Sequence, residues 1–216
     1  MAQHIYTHTN PTNQKHLEKA CNILHSGGII AYPTDVNWAV GCDATNRQAL
    51  EKIQKLKPDH PKDQPFSLLC NSIAMISKFA NVEQTSYRYL KKILPGPYTI
   101  LLKRNKTLPR QINDKRKIVG VRVPNCPLLQ DLIEAFDRPM ATTSLSTIPN
   151  IGKQYSWDMI NYGHQVNEVY GHALDLILDL GKEVMVQETT IIDLSNQEIK
   201  LIRKGVGDIS MFSNLT

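Results

Sequence analysis

The stretch Gly28-Ile-Ile-Ala-Tyr-Pro-Thr-Asp35 predicts a buried β-strand that ends in a polar turn. Apolar residues follow Gly28 without interruption, which is typical of a strand covered on both faces. Pro33 then restricts the backbone, and Thr34 and Asp35 present polar groups directly after it. Ligands in open α/β sheets bind at strand ends, so this turn is the first candidate for a binding site.

Helices and strands alternate outward from this stretch. Apolar residues recurring every three or four positions predict helices over residues 17–24, 46–56, 73–80, 85–94, 128–136 and 155–170. Short apolar runs predict strands over residues 28–32, 66–70, 98–103, 118–123, 140–144, 174–180, 189–194 and 199–203. The last strands have few residues between them, and parallel pairing needs long crossovers, so some pairs must be antiparallel. The sequence therefore predicts a single α/β domain with one mixed sheet flanked by helices.

The composition is that of an ordinary globular protein. Of 216 residues, 41% are hydrophobic and 21% are charged, which excludes collagen, coiled coil and bulk disorder. No apolar run approaches the ~20 residues that a bilayer requires, and the polar residues 1–13 hold no secretory signal. The cysteines are far apart and form no metal-binding pair, so we expect reduced thiols in a cytoplasmic protein: Cys21, Cys42, Cys70 and Cys126.

Positive charge is concentrated in one stretch of the chain. The formal net charge is +5, but residues 91–122 hold ten basic residues and one acid, a local charge of +9. The remainder holds 15 basic and 19 acidic residues. A concentrated basic face attracts nucleotides, RNA or acidic lipids, whereas a solvated lysine-rich face needs no partner. The residues that we predict to face a polyanion are Lys103, Arg104, Lys106 and Arg110.

Standard nucleotide and hydrolase motifs are absent from the sequence. There is no P-loop, no dinucleotide fingerprint opening a βαβ unit, no H-E-x-x-H and no G-x-S-x-G. Hydroxyl and basic residues instead lie at predicted strand ends, where they suit a phosphate or carboxylate ligand. Arg122 is the strongest single candidate, because an arginine in an otherwise apolar strand is costly to bury unpaired.

Six short motifs, taken in order, resemble those of the YrdC/YciO-like family. Their residues are most similar to those of the YciO branch. They cover residues 28–44, 94–102, 119–124, 139–146, 189–193 and 202–205. The resemblance runs from about residue 13 to about residue 208. It implies one YrdC-like domain over residues 13–208, with terminal segments 1–12 and 209–216, and a twisted mixed sheet with a basic concave face.

The resemblance implies the chemistry of an L-threonylcarbamoyladenylate synthase, which is a nucleotidyltransferase. L-threonine, bicarbonate and ATP give threonylcarbamoyl-AMP and pyrophosphate, and a partner protein transfers the threonylcarbamoyl group to adenosine in tRNA. Mg²⁺ accompanies ATP, and no permanent cofactor, dedicated metal site or catalytic proton-transfer residue is implied. The ATP-binding residues implied by motif position are Lys55, Lys57, Thr142, Ser144 and Arg203. Those implied for threonine and bicarbonate are Thr34, Arg122 and Thr189.

The sequence departs from the synthase pattern at several positions. Ser146 stands where the family has an asparagine, and Ile118 stands where a hydroxyl residue is usual. Lys57 replaces an arginine, Thr189 replaces a serine, and the loop 58–65 is about three residues longer. Two lost hydrogen bonds at about 1 kcal/mol each predict ATP binding that is weaker by roughly tenfold or more.

Two other functions stay open on these residues. Family members have been described as binding double-stranded RNA, and the local charge of +9 suits an RNA-binding protein with weak or no synthase activity. The other alternative is a carbamoyl-related transferase that acts on a different substrate.

Overall fold

The computed structural model describes residues 1–57, 66–108, 117–145, 155, 158–196 and 198–215. Within them the strands are β1 (Gln3–Tyr6), β2 (Ile29–Pro33), β3 (Trp38–Asp43), β4 (Ser67–Leu69), β5 (Tyr98–Lys103), β6 (Ile118–Arg122), β7 (Met140–Ser144), β8 (Leu176–Asp179), β9 (Thr190–Asp193) and β10 (Lys200–Arg203). The helices are α1 (Gln14–His25), α2 (Arg47–Leu56), α3 (Ile73–Phe79), α4 (Gln84–Ile93), α5 (Pro127–Phe136) and α6 (Gly163–Tyr170), followed by a 3-10 helix (Ser210–Leu215).

The described strands form one mixed sheet in the order β1-β8-β2-β3-β7-β4-β6-β5-β9-β10. β1 and β2 pair parallel to β8, β4 parallel to β6, and β5 parallel to β9. The remaining neighbours are antiparallel, including β9 and β10. The predicted mixed α/β sheet is therefore confirmed.

Polar side chains cap the N-termini of α1, α2 and α3. Asn46 begins α2 as predicted, because its side chain accepts a hydrogen bond from the backbone N–H of Ala49 at 3.1 Å. Asn13 and Ser72 cap α1 and α3 in the same way. Pro127 is the first residue of α5, a position where its missing N–H costs nothing.

The two faces of the sheet carry separate apolar cores. Helices α1 and α5 pack on one face against side chains that include Ile30, Tyr32, Leu69 and Met140. Helices α2, α3, α4 and α6 pack on the other face, where the strand residues point in the opposite direction because side chains alternate along a strand. On the face that carries α1 and α5, the sheet is less apolar at β5 and β6. There the side chains of Ser67 and Thr99 lie near Gly120.

Three local differences separate the prediction from the structure. Residues 1–12, which we placed outside the domain, contribute β1 to the sheet edge. Gln3–Tyr6 lacks an apolar pattern that would predict a strand. Its backbone pairing with β8 is what makes it one. β3 was not predicted, although all six of its residues are buried. Helix α6 begins at Gly163 and not near residue 155, because the Gln165 side chain accepts the backbone N–H groups that precede it.

Candidate active site

Arg122 is the last residue of β6, and its side chain is almost fully buried. Its Nη2 donates to Asp35 Oδ1 at 3.1 Å, while its Nε has no acceptor within the described residues. Burial lowers the pKa of Arg122, and the Asp35 carboxylate opposes that shift. An arginine stays charged at neutral pH even so. The site therefore contains a buried cation that keeps at least one unused hydrogen-bond donor.

A four-residue turn between β2 and β3 presents Asp35 to this cation. The Thr34 hydroxyl donates to Asn37 O at 2.8 Å and accepts the backbone N–H groups of Val36 and Asn37 at 3.2 and 3.1 Å. These bonds close a turn of the kind that threonine side chains often make. The predicted ligand residue Thr34 thus uses its hydroxyl inside the turn, and Asp35 is held beside Arg122.

A second arginine lies close to the first. Arg203 Nε and Nη2 donate to Thr189 O at 3.1 and 3.0 Å, and Nη2 also donates to Thr189 Oγ1 at 3.0 Å. Thr189 Oγ1 shares a further 2.9 Å hydrogen bond with Thr99 Oγ1. Besides burial, the charge of Arg203 contributes to lowering the pKa of Arg122, so the two guanidinium groups interact. Two cations and two hydroxyl groups therefore share one part of the molecule.

Gln187 joins the two sides of this arrangement. Its backbone N–H donates to Val36 O at 2.7 Å, and its carbonyl oxygen accepts from Asn37 Nδ2 at 3.1 Å. β3 and β9 are separated by four strands in the sheet, yet these bonds hold the segment before β9 against the β2–β3 turn. Asn37 Oδ1 is buried and has no partner within the described residues. These bonds therefore place Gln187, two residues before Thr189, against the turn that carries Thr34 and Asp35.

Thr142 occupies a more enclosed position on β7. Its hydroxyl accepts from Tyr32 Oη at 2.9 Å and lies 3.2 Å from Val40 O, to which it donates. Gly41 leaves room for Tyr32, since a Cβ atom there would lie 2.2 Å from Tyr32 Oη. Burial raises the pKa of Tyr32, so its phenol remains protonated. Ser144, two residues further along β7, is half-buried and lies at the level of Ala39 of β3.

The other predicted site residues lie elsewhere or beyond the described residues. Lys55 is exposed in the last turn of α2, and Lys57 follows that helix directly before residues 58–65, which are not among those described. Ser146 also falls outside the described residues. The contacts in the structure therefore unite Arg122, Arg203, Thr189 and the Thr34 turn. Asp35 and Gln187 were missed as site residues, although the polar turn already pointed toward Asp35.

The basic stretch divides into three parts. Lys91 and Lys92 lie on α4, and Arg122 is buried in the candidate site. A third group, which we call the β5–β6 patch, lies where the backbone N–H of Arg104 donates to Lys117 O at 3.0 Å. The patch consists of Lys103, Arg104, Lys106 and Lys117. Arg110, Lys115 and Arg116 lie outside the described residues. Because Arg122 is buried, the described cations of this stretch do not form one continuous surface.

A mixed α/β sheet with two interacting arginines at its strand ends is an arrangement suited to small anionic ligands. The Sua5/YciO/YrdC family model, described as "Telomere recombination", matches residues 22–205. The chain belongs to this family, which confirms the resemblance seen in its motifs.

The most similar relatives include both branches of that family. "Uncharacterized protein YciO" of Escherichia coli K12 is 33% identical over 98% of this chain and 100% of its own length. Its crystal structure has a TM-score of 0.86 over 98% of this chain and 100% of that one, at 32% identity. "Threonylcarbamoyl-AMP synthase" of Psychromonas ingrahamii is 31% identical over 77% of this chain and 85% of its own. P. abyssi Sua5 complexed with L-threonine shares the fold, with a TM-score of 0.82 over 100% of this chain and 60% of that one, at 23% identity.

No helix among the described residues is long and apolar enough to cross a membrane.

Proposed function

We propose that the chain is a threonylcarbamoyl-AMP synthase. L-threonine and bicarbonate first combine to N-carboxy-threonine with loss of water. A carboxylate oxygen of this carbamate then attacks the α-phosphorus of ATP, a P–O bond to it forms, and the bond to the β-phosphate oxygen breaks. Threonylcarbamoyl-AMP and pyrophosphate result. The reaction needs reactants held in line and negative charge neutralised, which a site rich in arginine and hydroxyl groups can supply.

The observation that carries this proposal is the buried Arg122 with an unpaired donor. A guanidinium is well suited to hold a carboxylate with two parallel hydrogen bonds. Asp35 occupies only Nη2, and Nε has no acceptor among the described residues, so we assign the remaining donor capacity of the guanidinium to the carboxylate of threonine. Thr189 Oγ1 lies on the same side of the site as Arg203, and a hydroxyl retains further hydrogen-bonding capacity after these contacts. We assign Arg122, Thr189 and the turn shaped by Thr34 to threonine and bicarbonate.

We assign the remaining cations and hydroxyls to ATP. Arg203 interacts with Arg122 and could contact the phosphates next to the carbamate, while Ser144 and Thr142 belong to β7, which lies between β3 and β4 in the sheet. Lys55 and Lys57 would approach the phosphates from the end of α2. Mg²⁺ would enter as the ATP complex and offset phosphate charge. Ile118, Lys57 and Ser146 reduce the polar contacts available to the nucleotide, so we expect slow turnover and a high KM for ATP.

A pyrophosphate-release assay tests this function. Purified full-length protein, L-threonine, bicarbonate and Mg-ATP should release pyrophosphate, and omission of any one of the three substrates should return the rate to background. The Arg138→Lys variant is a suitable control, because Arg138 pairs with Asp43 and is half exposed, away from the contacts of Arg122. No threonine-dependent release, even at enzyme concentrations near that of ATP, would contradict the proposal. A cytoplasmic enzyme would pass the threonylcarbamoyl group to tRNA through a partner transfer protein.

The β5–β6 patch favours duplex RNA binding as a second candidate function. No ion pair within the described residues engages its four cations, and Arg104 Nε is buried without a partner there. Binding should weaken steeply with salt, because bound phosphates release counterions. A Lys103→Glu/Lys106→Glu variant should weaken duplex binding at low salt, whereas Lys91→Glu/Lys92→Glu on α4 serves as a charge-matched control. Equal loss in both variants would mean that the patch is not the RNA site.

A further inference from the structure

The Asp35 carboxylate bonds to two different partners in the candidate site. Its Oδ1 accepts from Arg122 Nη2 at 3.1 Å, and its Oδ2 accepts the backbone N–H of Asn125 at 3.0 Å. Its side chain is only 10% exposed. Both oxygens are therefore used, one by the guanidinium and one by the chain just after β6.

The guanidinium of Arg122 is tied to the protein at one nitrogen. A long side chain that is held at a single point by a charged hydrogen bond adopts one orientation, whereas without that bond several rotamers compete. The Thr34 turn fixes Asp35 itself, since Thr34 Oγ1 bonds three backbone groups of that turn. The rigid part of the arrangement is thus the turn, and the orientation of Arg122 follows from it.

We propose that Asp35 is a positioning residue, which holds Nη2 of Arg122 so that the remaining donors of the guanidinium are oriented toward the carboxylate of the substrate. This inference rests on the proposed function for its substrate, L-threonine. Asp35 does not touch the reacting atoms. An asparagine at this position has one acceptor oxygen, so it can hold Arg122 or the N–H of Asn125 but not both.

The chain offers a matched control for a purely structural role. Asp43 is also buried, pairs with Arg138 Nη1 at 3.1 Å, and accepts a backbone N–H from Thr45 at 2.7 Å. Asp43→Asn therefore removes the same charge from a similar set of bonds at the other end of β3. If Asp35 only stabilised the fold, Asp35→Asn would weaken the binding of threonine and of ATP alike.

Isothermal titration of the full-length protein with L-threonine and, separately, with Mg-ATP tests the proposal. We expect Asp35→Asn to weaken threonine binding about 30-fold, as for loss of one partner of a buried charge pair, and to change ATP binding less than about twofold. Asp43→Asn should bind both ligands like the wild-type protein. Threonine affinity in Asp35→Asn equal to that of the wild type would overturn the inference, as would equal weakening of both ligands.

A second measurement separates this inference from the proposed function. In ¹⁵N-edited NMR spectra, the Nε–H signal of Arg122, assigned by its absence in Arg122→Lys, should be resolved and slow to exchange in the wild type. In Asp35→Asn its chemical shift should move to that of a freely rotating arginine side chain. In Asp43→Asn its chemical shift should not change. If the wild type binds no threonine but these signals behave as expected, the substrate is wrong and the positioning role stands. An unchanged Arg122 signal in Asp35→Asn would overturn the positioning role whatever the substrate.

Discussion

Two aspartate–arginine pairs lie at opposite ends of β3. Asp35 precedes the strand and pairs with Arg122, and Asp43 ends it and pairs with Arg138, each with a nitrogen–oxygen distance of 3.1 Å. The distances are the same but the surroundings differ. The Arg122 side chain is 7% exposed and the Arg138 side chain is 50% exposed.

The difference in exposure separates a candidate ligand site from a structural contact. Water can satisfy the remaining donors of Arg138, so this pair needs no further partner. Arg122 is largely shielded from water, and its Nε is buried without an acceptor in the described residues. A buried, partly unpaired cation is costly, and such groups concentrate at functional sites. Distance alone would have ranked the two pairs equally.

The largest expected effect is on stability. Arg122→Ala leaves Asp35 buried without its cation and should lower the free energy of unfolding by about 4 kcal/mol. Arg138→Ala removes a half-exposed partner and should cost about 1 kcal/mol or less, because Asp43 retains its bonds to Thr45. Urea unfolding followed by circular dichroism measures both values. Equal losses in the two variants would contradict the comparison.

The next effect is on catalysis. Arg122→Lys keeps the positive charge but loses the planar fork, and we expect threonine-dependent pyrophosphate release to fall about 100-fold. Arg138→Lys makes the same chemical change in the other pair and should alter the rate less than about twofold. A rate for Arg122→Lys within a few-fold of the wild type would mean that Arg122 does not hold the substrate.

The smallest difference between the two pairs is the contribution of Asp43 to the pH dependence of stability, through the thiol beside it. Burial raises the pKa of Cys42 to about 12, and the Asp43 carboxylate adds to that shift. Burial also raises the pKa of Cys70 to about 12. Thiols in the unfolded chain have their ordinary pKa of 9.0. Because the unfolded chain then holds fewer protons, stability should be intact below pH 9 and decline between pH 9 and 12.

The variant Asp43→Asn measures how much the Asp43 carboxylate contributes to this pH dependence. Loss of the carboxylate lowers the pKa of Cys42 toward that of an ordinary buried thiol, so the decline above pH 9 should become shallower by less than about 0.5 kcal/mol. Thermal melts from pH 7 to 11 measure this slope. The double variant Cys42→Ala/Asp43→Asn is the control, since without the thiol the Asp43 charge should no longer affect the slope. A steeper decline in Asp43→Asn would contradict the assignment.

Much of the fold could be predicted from local sequence. β5 and β7 have the bounds expected from their apolar runs, and Asn46 begins α2 as its side chain suggests. β3 was not predicted, although all six of its residues are buried. Its glycine is not the reason, because β6 contains Gly120 and was predicted. The structure shows why Gly41 stands there, since a Cβ atom would lie 2.2 Å from Tyr32 Oη.

The candidate site was also predictable in part from local sequence. An arginine in the apolar strand residues 118–122 is conspicuous in any sequence, because burial of an unpaired charge is so unfavourable. Its partner was not predictable, since Asp35 is 87 residues away and one of many acids. Gln187 gives no local signal at all. Its role arises from one backbone hydrogen bond to Val36 O and one side-chain hydrogen bond from Asn37 Nδ2.

The sequence by itself determined the order of helices and strands, the buried strand that opens the fold, and the presence of a cation that had to be neutralised. These features depend on the periodicity of apolar residues and on the cost of burying charge, which are properties of short segments. Only the tertiary structure decided that Asp35 holds Arg122, that Arg203 holds Thr189, and that Gln187 brings β3 and β9 together. Such contacts join parts of the chain that are not adjacent in sequence, so they form only when the strands have paired and the sheet is assembled.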